Sequence, residues 1–237
     1  MQNFTLAGIS VDTVMQGVLR AFGDAGSELG MSASLMVVAQ RHRPESTAFD
    51  LLEQILPWSH SITAIGLGGA EVGNPPSGFV NFFRACREKG FRVVIHAGEE
   101  GPASYVREAI DLLAADRIDH GNACLEDPQL VRQLASRGTP LTLCPLSNLK
   151  LRVISSIEAH PLKKLMDQGL RVTINSDDPS YFGGYLNDNF KACQTALNLT
   201  AAHITDLARN SFTSAFVEEN DKHRYLQQID EYVAHFS

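Results

Sequence analysis

The sequence predicts an α/β fold built on a parallel sheet, and three observations carry that expectation. Short aliphatic runs alternate with stretches of helical periodicity. The alternation repeats roughly every 24 to 30 residues, enough for a strand, a crossover helix and two short loops. Polar residues capable of chemistry fall just past the ends of most of the runs. A (β/α)8 barrel gathers its site in that way, from the carboxyl ends of several strands. A doubly wound sheet more often concentrates its site at one switch point. The spread along the chain therefore favours the barrel.

Residues 1–9 are a lead-in without periodicity. Ser10 is a helix N-cap, and Val11, Val14, Met15, Val18, Leu19 and Phe22 recur at helical spacing, with Gly23 and Gly26 expected to end that helix. Leu35–Ala39 reads as a strand. Phe49, Leu52, Ile55 and Leu56 form a helical face stopped by Pro57, and Ile62–Leu67 is the next strand. Pro75-Pro76 opens a helix through Phe79, Phe82, Phe83 and Cys86, with Gly90 at its exit. Val93-Val94-Ile95 is a buried strand ending on His96. A helix through Tyr105, Val106, Ile110 and Leu113 leads to a short strand, Arg117–His120. Leu130, Val131 and Leu134 precede the strand Pro140–Cys144, which Pro145 breaks. Leu162, Leu165 and Met166 precede the last strand, Leu170–Asn175. From about Leu186 onward the pattern is helical. With no linker or shift in composition, residues 1–237 read as a single domain.

Composition narrows the function classes. Hydrophobic content of 44% and charged content of 20% are those of a soluble globular chain. The net charge of −7, without a basic run, gives no electrostatic footprint for nucleic acid, although a single base is still an eligible ligand. No apolar run approaches the ~20 residues that cross a bilayer, so no membrane partner is expected. The start of the chain shows no basic segment followed by an apolar one, so no signal peptide is expected. The four cysteines are widely spaced and form no CxxC, which suits reduced, buried thiols in the cytoplasm.

The strand ends carry the candidate chemistry. His96 closes a rigid strand, and the Ala97-Gly98 step returns a carboxylate, Glu99, close enough to move a proton beside it. His96 and Asp177 are metal-ligand types, and a catalytic zinc takes three or more protein ligands while leaving a position open for water. Zinc lowers the pKa of that water to about 7, which supplies a nucleophile at neutral pH. His120 could orient or deprotonate the water, and Glu99 could donate a proton to the substrate. Asp177 and Asp178 are adjacent, so on an extended backbone one faces a metal while the other faces a substrate. Each residue also has a structural reading. Asp-Asp-Pro is a common turn or helix cap, and His120 beside Gly121 suits a turn. Their joint placement at strand ends tips the balance toward a site.

Four motifs, His96-Ala-Gly-Glu99, Asp119-His120-Gly121, Cys144-Pro-Leu-Ser-Asn148 and Ser176-Asp177-Asp178-Pro179, follow one another in the order seen in the adenosine and adenine deaminase family. Gly66-Leu-Gly-Gly-Ala-Glu71-Val-Gly-Asn-Pro-Pro76 and Tyr181-Phe-Gly-Gly-Tyr185 resemble its bacterial adenine deaminase-like branch. The resemblance covers nearly the whole chain. It implies an amidohydrolase-type TIM barrel with one catalytic zinc and hydrolytic release of the 6-amino group of a purine as ammonia. Carried over by motif position, it implies His96 and Asp177 as metal ligands and Glu99 as proton donor to the ring nitrogen N1. It further implies His120 beside the attacking water and Asp178 as acceptor on the N7 side. Gly69, in the glycine loop, would approach the purine edge.

One departure is plain. The family begins with a strand bearing His-x-His, which supplies two more zinc ligands, and no two of the other histidines here are separated by a single residue. Six strand candidates rather than eight agree, so the expectation is an N-terminally incomplete barrel whose open edges promote self-association. Such a chain could be inactive by itself. The alternatives are a purine-binding protein without catalysis and a deaminase of another 6-aminopurine derivative. Adenine and adenosine stay open as substrates.

Overall fold

The structure, a computed structural model, describes residues 4, 5 and 7–236, so part of the lead-in at residues 1–9 lies outside the described residues. Among the described residues, six strands lie in one sheet in chain order: β1 (Leu35–Gln40), β2 (Ile62–Gly68), β3 (Arg92–Ala97), β4 (Arg117–His120), β5 (Leu141–Leu143) and β6 (Val172–Ile174). The chain divides into two compact units. One runs up to His96 and takes in Glu108–Asp116, and the other comprises Ala97–Arg107 and the chain from Arg117 onward.

In the first unit, β1, β2 and β3 pair in parallel, with Val37 opposite Ile65 and Ile65 opposite Val93. Ile65, Leu67, Val93, Val94 and Ile95 are fully buried, as a strand covered on both faces requires. Helices α1 (Val11–Leu29), α2 (Glu45–Ile55) and α3 (Val80–Glu88) accompany them. Ser10 caps α1 by accepting the Thr13 N–H at 3.1 Å. The helix does not stop at Gly23 or Gly26, as the sequence led us to expect. It continues to Gly30, whose φ of 63° closes it in the left-handed region. An internal glycine costs a helix about 1 kcal/mol relative to alanine, which weakens it without ending it.

Two carboxylates position the remaining elements of this unit. Glu45 accepts the Phe82 N–H at 2.8 Å in the first turn of α3. Asp116 accepts the Val93 N–H at 2.7 Å and pairs with Arg87 at 3.3 Å, fixing the start of β3. Phe82 meets Phe49 and Phe83 edge to face, at 5.7 Å and 4.9 Å between ring centres.

A loop leads from β3 into α4 (Ala103–Asp111). In the second unit β4, β5 and β6 pair in parallel, with Leu141 opposite Ile118 and Val172. The helices are α5 (Pro128–Arg137), α6 (Pro145–Lys150), α7 (Leu162–Asp167), α8 (Pro179–Phe182), α9 (Leu186–Ala196), α10 (Ala201–Thr213) and α11 (Glu219–Phe236). Asp127 caps α5 with bonds from the Gln129 and Leu130 N–H groups, and Gly138 ends it at φ 62°. Pro145 breaks the strand, as expected, and is also the first residue of α6, where its fixed φ suits a helix start and its missing N–H is not needed. None of the described helices is long and apolar enough to cross a membrane.

The turn after β3 is held within the second unit. Ala97 O accepts the Gly121 N–H at 3.0 Å, and Gly98 O accepts the Ala123 N–H at 2.9 Å. Gly98 has φ 72°, and a Cβ there would lie 2.6 Å from Val106 Cγ2. Left-handed strain and overpacking therefore act together on any replacement. Gly98→Ala is expected to destabilise the fold by about 2–4 kcal/mol. Urea unfolding should show this as a lowered midpoint at unchanged slope.

Candidate active site

The second unit brings candidate residues from three strand ends together. β4 ends on His120, which is buried, with φ 65°. Cys144, also buried, follows β5, and Asp177 follows β6 at φ 56°. Left-handed backbone costs a residue with a side chain about 1–2 kcal/mol, though His and Asp adopt it more often than most. Strain held at two candidate residues is typical of a functional site, where the surrounding fold over-determines the backbone.

Donor atoms of His120, Cys144 and Asp177 all lie within 4.8 Å of one another, the one group of metal-donor side chains found among the described residues. Burial pushes the Cys144 thiol well above its ordinary range, and the carboxylates of Asp177, Asp119 and Glu99 push it further. Its Sγ accordingly acts as a donor, 3.6 Å from Thr142 O. A protonated thiol is a poor ligand. The negative field that keeps its proton in place also favours a cation. An imidazole and a carboxylate in such a field fit a divalent metal.

Each carboxylate has a different partner set. Asp119 accepts the Thr142 hydroxyl at 2.5 Å and lies 3.8 Å from Arg117 Nε, an arrangement that braces the strands. Asp177 Oδ2 accepts the hydroxyl of fully buried Ser147 at 2.7 Å, which orients it. Glu99 Oε1 accepts Asn148 Nδ2 at 3.0 Å and lies 3.3 Å from His120 Nδ1. Asp178 is exposed at the N-terminus of α8, and its side chain makes no capping bond to that helix. The helix-cap reading of Asp178 thus finds no support in the geometry.

His96 and Gly69 belong to the first unit. A Cβ on Gly68 would lie 3.0 Å from Val38 Cγ1, tighter than an ordinary contact, and 3.8 Å from His96 Cδ2 and Cε1, an ordinary one, so that glycine makes room for Val38 beside the ring. The His96 carbonyl accepts Arg41 Nη1 at 2.5 Å, and Arg41 Nε donates to Asn74 O at 2.8 Å. Arg41 and Glu71 are both buried and 4.0 Å apart. The arginine thereby ties the strand end at His96 to the glycine loop after β2. Gly69 has φ 94°, and a Cβ there would come within 2.9 Å of His42 Nδ1.

Sequence reasoning assigned no role to Arg41, Ser147, Asn148 or His160. Ser147 and Asn148 stood within a quoted motif, whereas Arg41 and His160 stood outside every motif.

His160 is 3% exposed, and burial pushes its pKa down to about 4. The unfolded chain takes up this proton near pH 6.5 and the folded chain only near 4. The favourable contribution is therefore complete above about pH 6.5 and is lost as the pH falls toward 4, reaching a deficit of about 3 kcal/mol. His160→Gln is expected to flatten that part of the stability profile, measured as the wild-type minus variant difference in urea unfolding between the two pH values.

Residues 2–232 match the family described as Adenosine deaminase. An adenine deaminase of Rhodopseudomonas palustris is 54% identical over 98% of the chain and 68% of its own length. The crystal structure of an adenine deaminase from Arthrobacter aurescens superposes with a TM-score of 0.96 at 41% identity, covering 98% of this chain and 71% of that one. An amidohydrolase from Burkholderia ambifaria, with bound Zn, gives a TM-score of 0.91 at 26% identity over 98% of this chain and 66% of that one. The fold is thus the amidohydrolase-type α/β architecture expected from the sequence. The chain belongs to the adenosine deaminase family and is a deaminase-type hydrolase.

Proposed function

We propose that the reaction is hydrolytic deamination of adenine, in which water replaces the 6-amino group to give hypoxanthine and ammonia. The observation that carries this reading is the Glu99–His120 pair, 3.3 Å apart, in the same unit as the Ser147-oriented Asp177. Adenine is preferred to adenosine as substrate because the relatives of highest identity are adenine deaminases. The family match spans both compact units, which supports treating them as one deaminase-like domain. The four cysteines are free and buried, which suits a reducing cytoplasm.

The metal proposed is zinc, supported by the zinc-bound amidohydrolase and by the donor set in the second unit. His96, assigned by its motif, and Asp177 would supply two of the three or more protein ligands that such a zinc takes. Zinc, when bound, would lower the pKa of water toward 7. Glu99 holds a proton and delivers it to N1 of the purine, which makes C6 a better electrophile. His120, whose Nδ1 faces Glu99, uses its other ring nitrogen to orient the attacking water and take its proton. Asp178, exposed and not engaged as a cap, accepts from the N7 side of the ring. Gly69, without a Cβ, lets the backbone approach the purine edge.

The test is ammonia release from adenine and from adenosine by the zinc-supplied chain, with zinc content measured on the same samples. Release from adenine should exceed release from adenosine. Glu99→Gln should lower the rate by at least about 10²-fold at unchanged zinc content. A rate equal to wild type in that variant would remove Glu99 as proton donor. Asp177→Asn tolerates the same backbone, so it should fold normally while losing zinc, read by elemental analysis.

A further inference from the structure

The proton on a carboxylic acid can sit on either oxygen, and the hydrogen bonds around Glu99 distinguish the two. They are ordered by a group that can act in only one way, the backbone N–H of Leu162. It donates to His160 Nδ1 at 3.1 Å. That nitrogen is thereby the bare one, and the proton of the neutral ring is on Nε2. His160 Nε2 lies 3.3 Å from Asn148 Oδ1, so the ring donates and the amide oxygen accepts. The same oxygen accepts Asn122 Nδ2 at 2.8 Å, which fills its second lone pair. With Oδ1 committed on two sides, the amide cannot flip. Its Nδ2 points to Glu99 Oε1 at 3.0 Å and must donate.

Three features make this a rigid device rather than an incidental contact. Asn148 is fully buried, and His160 is buried. Asn148 lies on α6, whose first turn is held by buried Asn189 through its Oδ1, which accepts the Leu146 N–H at 3.0 Å. Burial keeps His160 neutral, so it offers Asn148 one N–H and does not add a charge. The bonds run in one direction, from the backbone of α7 through two side chains to a single carboxylate oxygen.

We propose that Asn148 and His160 are positioning residues for Glu99, committing its Oε1 to accept and confining the transferable proton to Oε2. The inference rests on Glu99 being the proton donor. In the step it describes, the Oε2–H bond breaks as an N–H bond forms at purine N1, and Glu99 is left as a carboxylate whose Oε1 bond to Asn148 is unchanged. Positioning a proton in this way acts on the rate of transfer, since a misplacement of about 1 Å can lower turnover about 10²-fold. It leaves substrate affinity untouched.

Two variants separate the donor role of His160 from its packing. His160→Gln keeps an N–H near the Nε2 position, whereas His160→Asn is too short to present one. With the full zinc-supplied chain and adenine, His160→Asn is expected to lower kcat about 10–100-fold at unchanged KM, and His160→Gln to stay within about threefold of wild type. Equal losses in both variants, or a change in KM alone, would overturn the proposal. If Glu99→Gln abolishes turnover while His160→Asn does not, the proton-donor reading stands and the positioning role falls. If Glu99→Gln leaves turnover intact, the donor reading falls and the positioning role falls with it.

The relay is then read independently of turnover, by long-range ¹H–¹⁵N NMR on the full chain at neutral pH. His160 should be the Nε2–H tautomer, and the Asn148 side-chain amide protons should shift on Glu99→Gln. An Nδ1–H tautomer, or Asn148 resonances indifferent to that substitution, would refute the arrangement.

Discussion

Parallel pairing of short buried strands is the constraint on which the rest depends. A parallel strand cannot be joined to its neighbour by a tight hairpin, so the chain must leave the sheet at each carboxyl end and return through a helix. In the second unit those exits place His120 after β4, Cys144 after β5 and Asp177 after β6. Leu141, Leu143 and Val172 are fully buried, so β5 and β6 cannot slide or rotate without exposing them. The strands thus act as fixed mounts. Backbone torsion adds the last adjustment, since His120 and Asp177 turn through left-handed geometry as they leave the sheet.

Electrostatics decides which of the mounted groups stay available for chemistry. Three carboxylates, Asp177, Asp119 and Glu99, are close enough to raise the Cys144 thiol. Asp119 lies by Arg117 and receives a threonine hydroxyl, which places it in the bracing of the strands. Asp177 and Glu99 are oriented instead by neutral donors, Ser147 and Asn148. A neutral donor fixes direction without cancelling charge, so these two bonds leave the carboxylate charge in place. In the first unit a buried arginine does comparable work on the backbone, tying His96 to the loop after β2.

Local patterns in the chain were read well where the local physics is strong. The Ser10 cap and the aliphatic strands fall where capping and burial place them. The reading failed where a local preference was outweighed. Gly23 and Gly26 weaken α1 but do not end it, because the chain elects to stop at Gly30, where a positive φ is needed. Pro145 does end the strand, but it also opens α6, which the strand pattern alone does not reveal.

The sequence by itself determined the α/β class and the family, and it singled out His96, Glu99, His120, Asp177 and Asp178 at the strand ends as candidates. These are legible because period, turn glycines and ordered motifs are properties of neighbouring residues. Tertiary structure alone decided who orients whom. Asn148 and Glu99 are 49 residues apart in the chain, and Ser147 and Asp177 are 30 apart. His160 gave no signal at all, being one histidine among eight. Its meaning comes from the N–H of Leu162 on one side and the Asn148 amide on the other. Hydrogen-bond direction is set by which atoms meet, and that meeting is settled only when the strands have packed and the helices have closed over them.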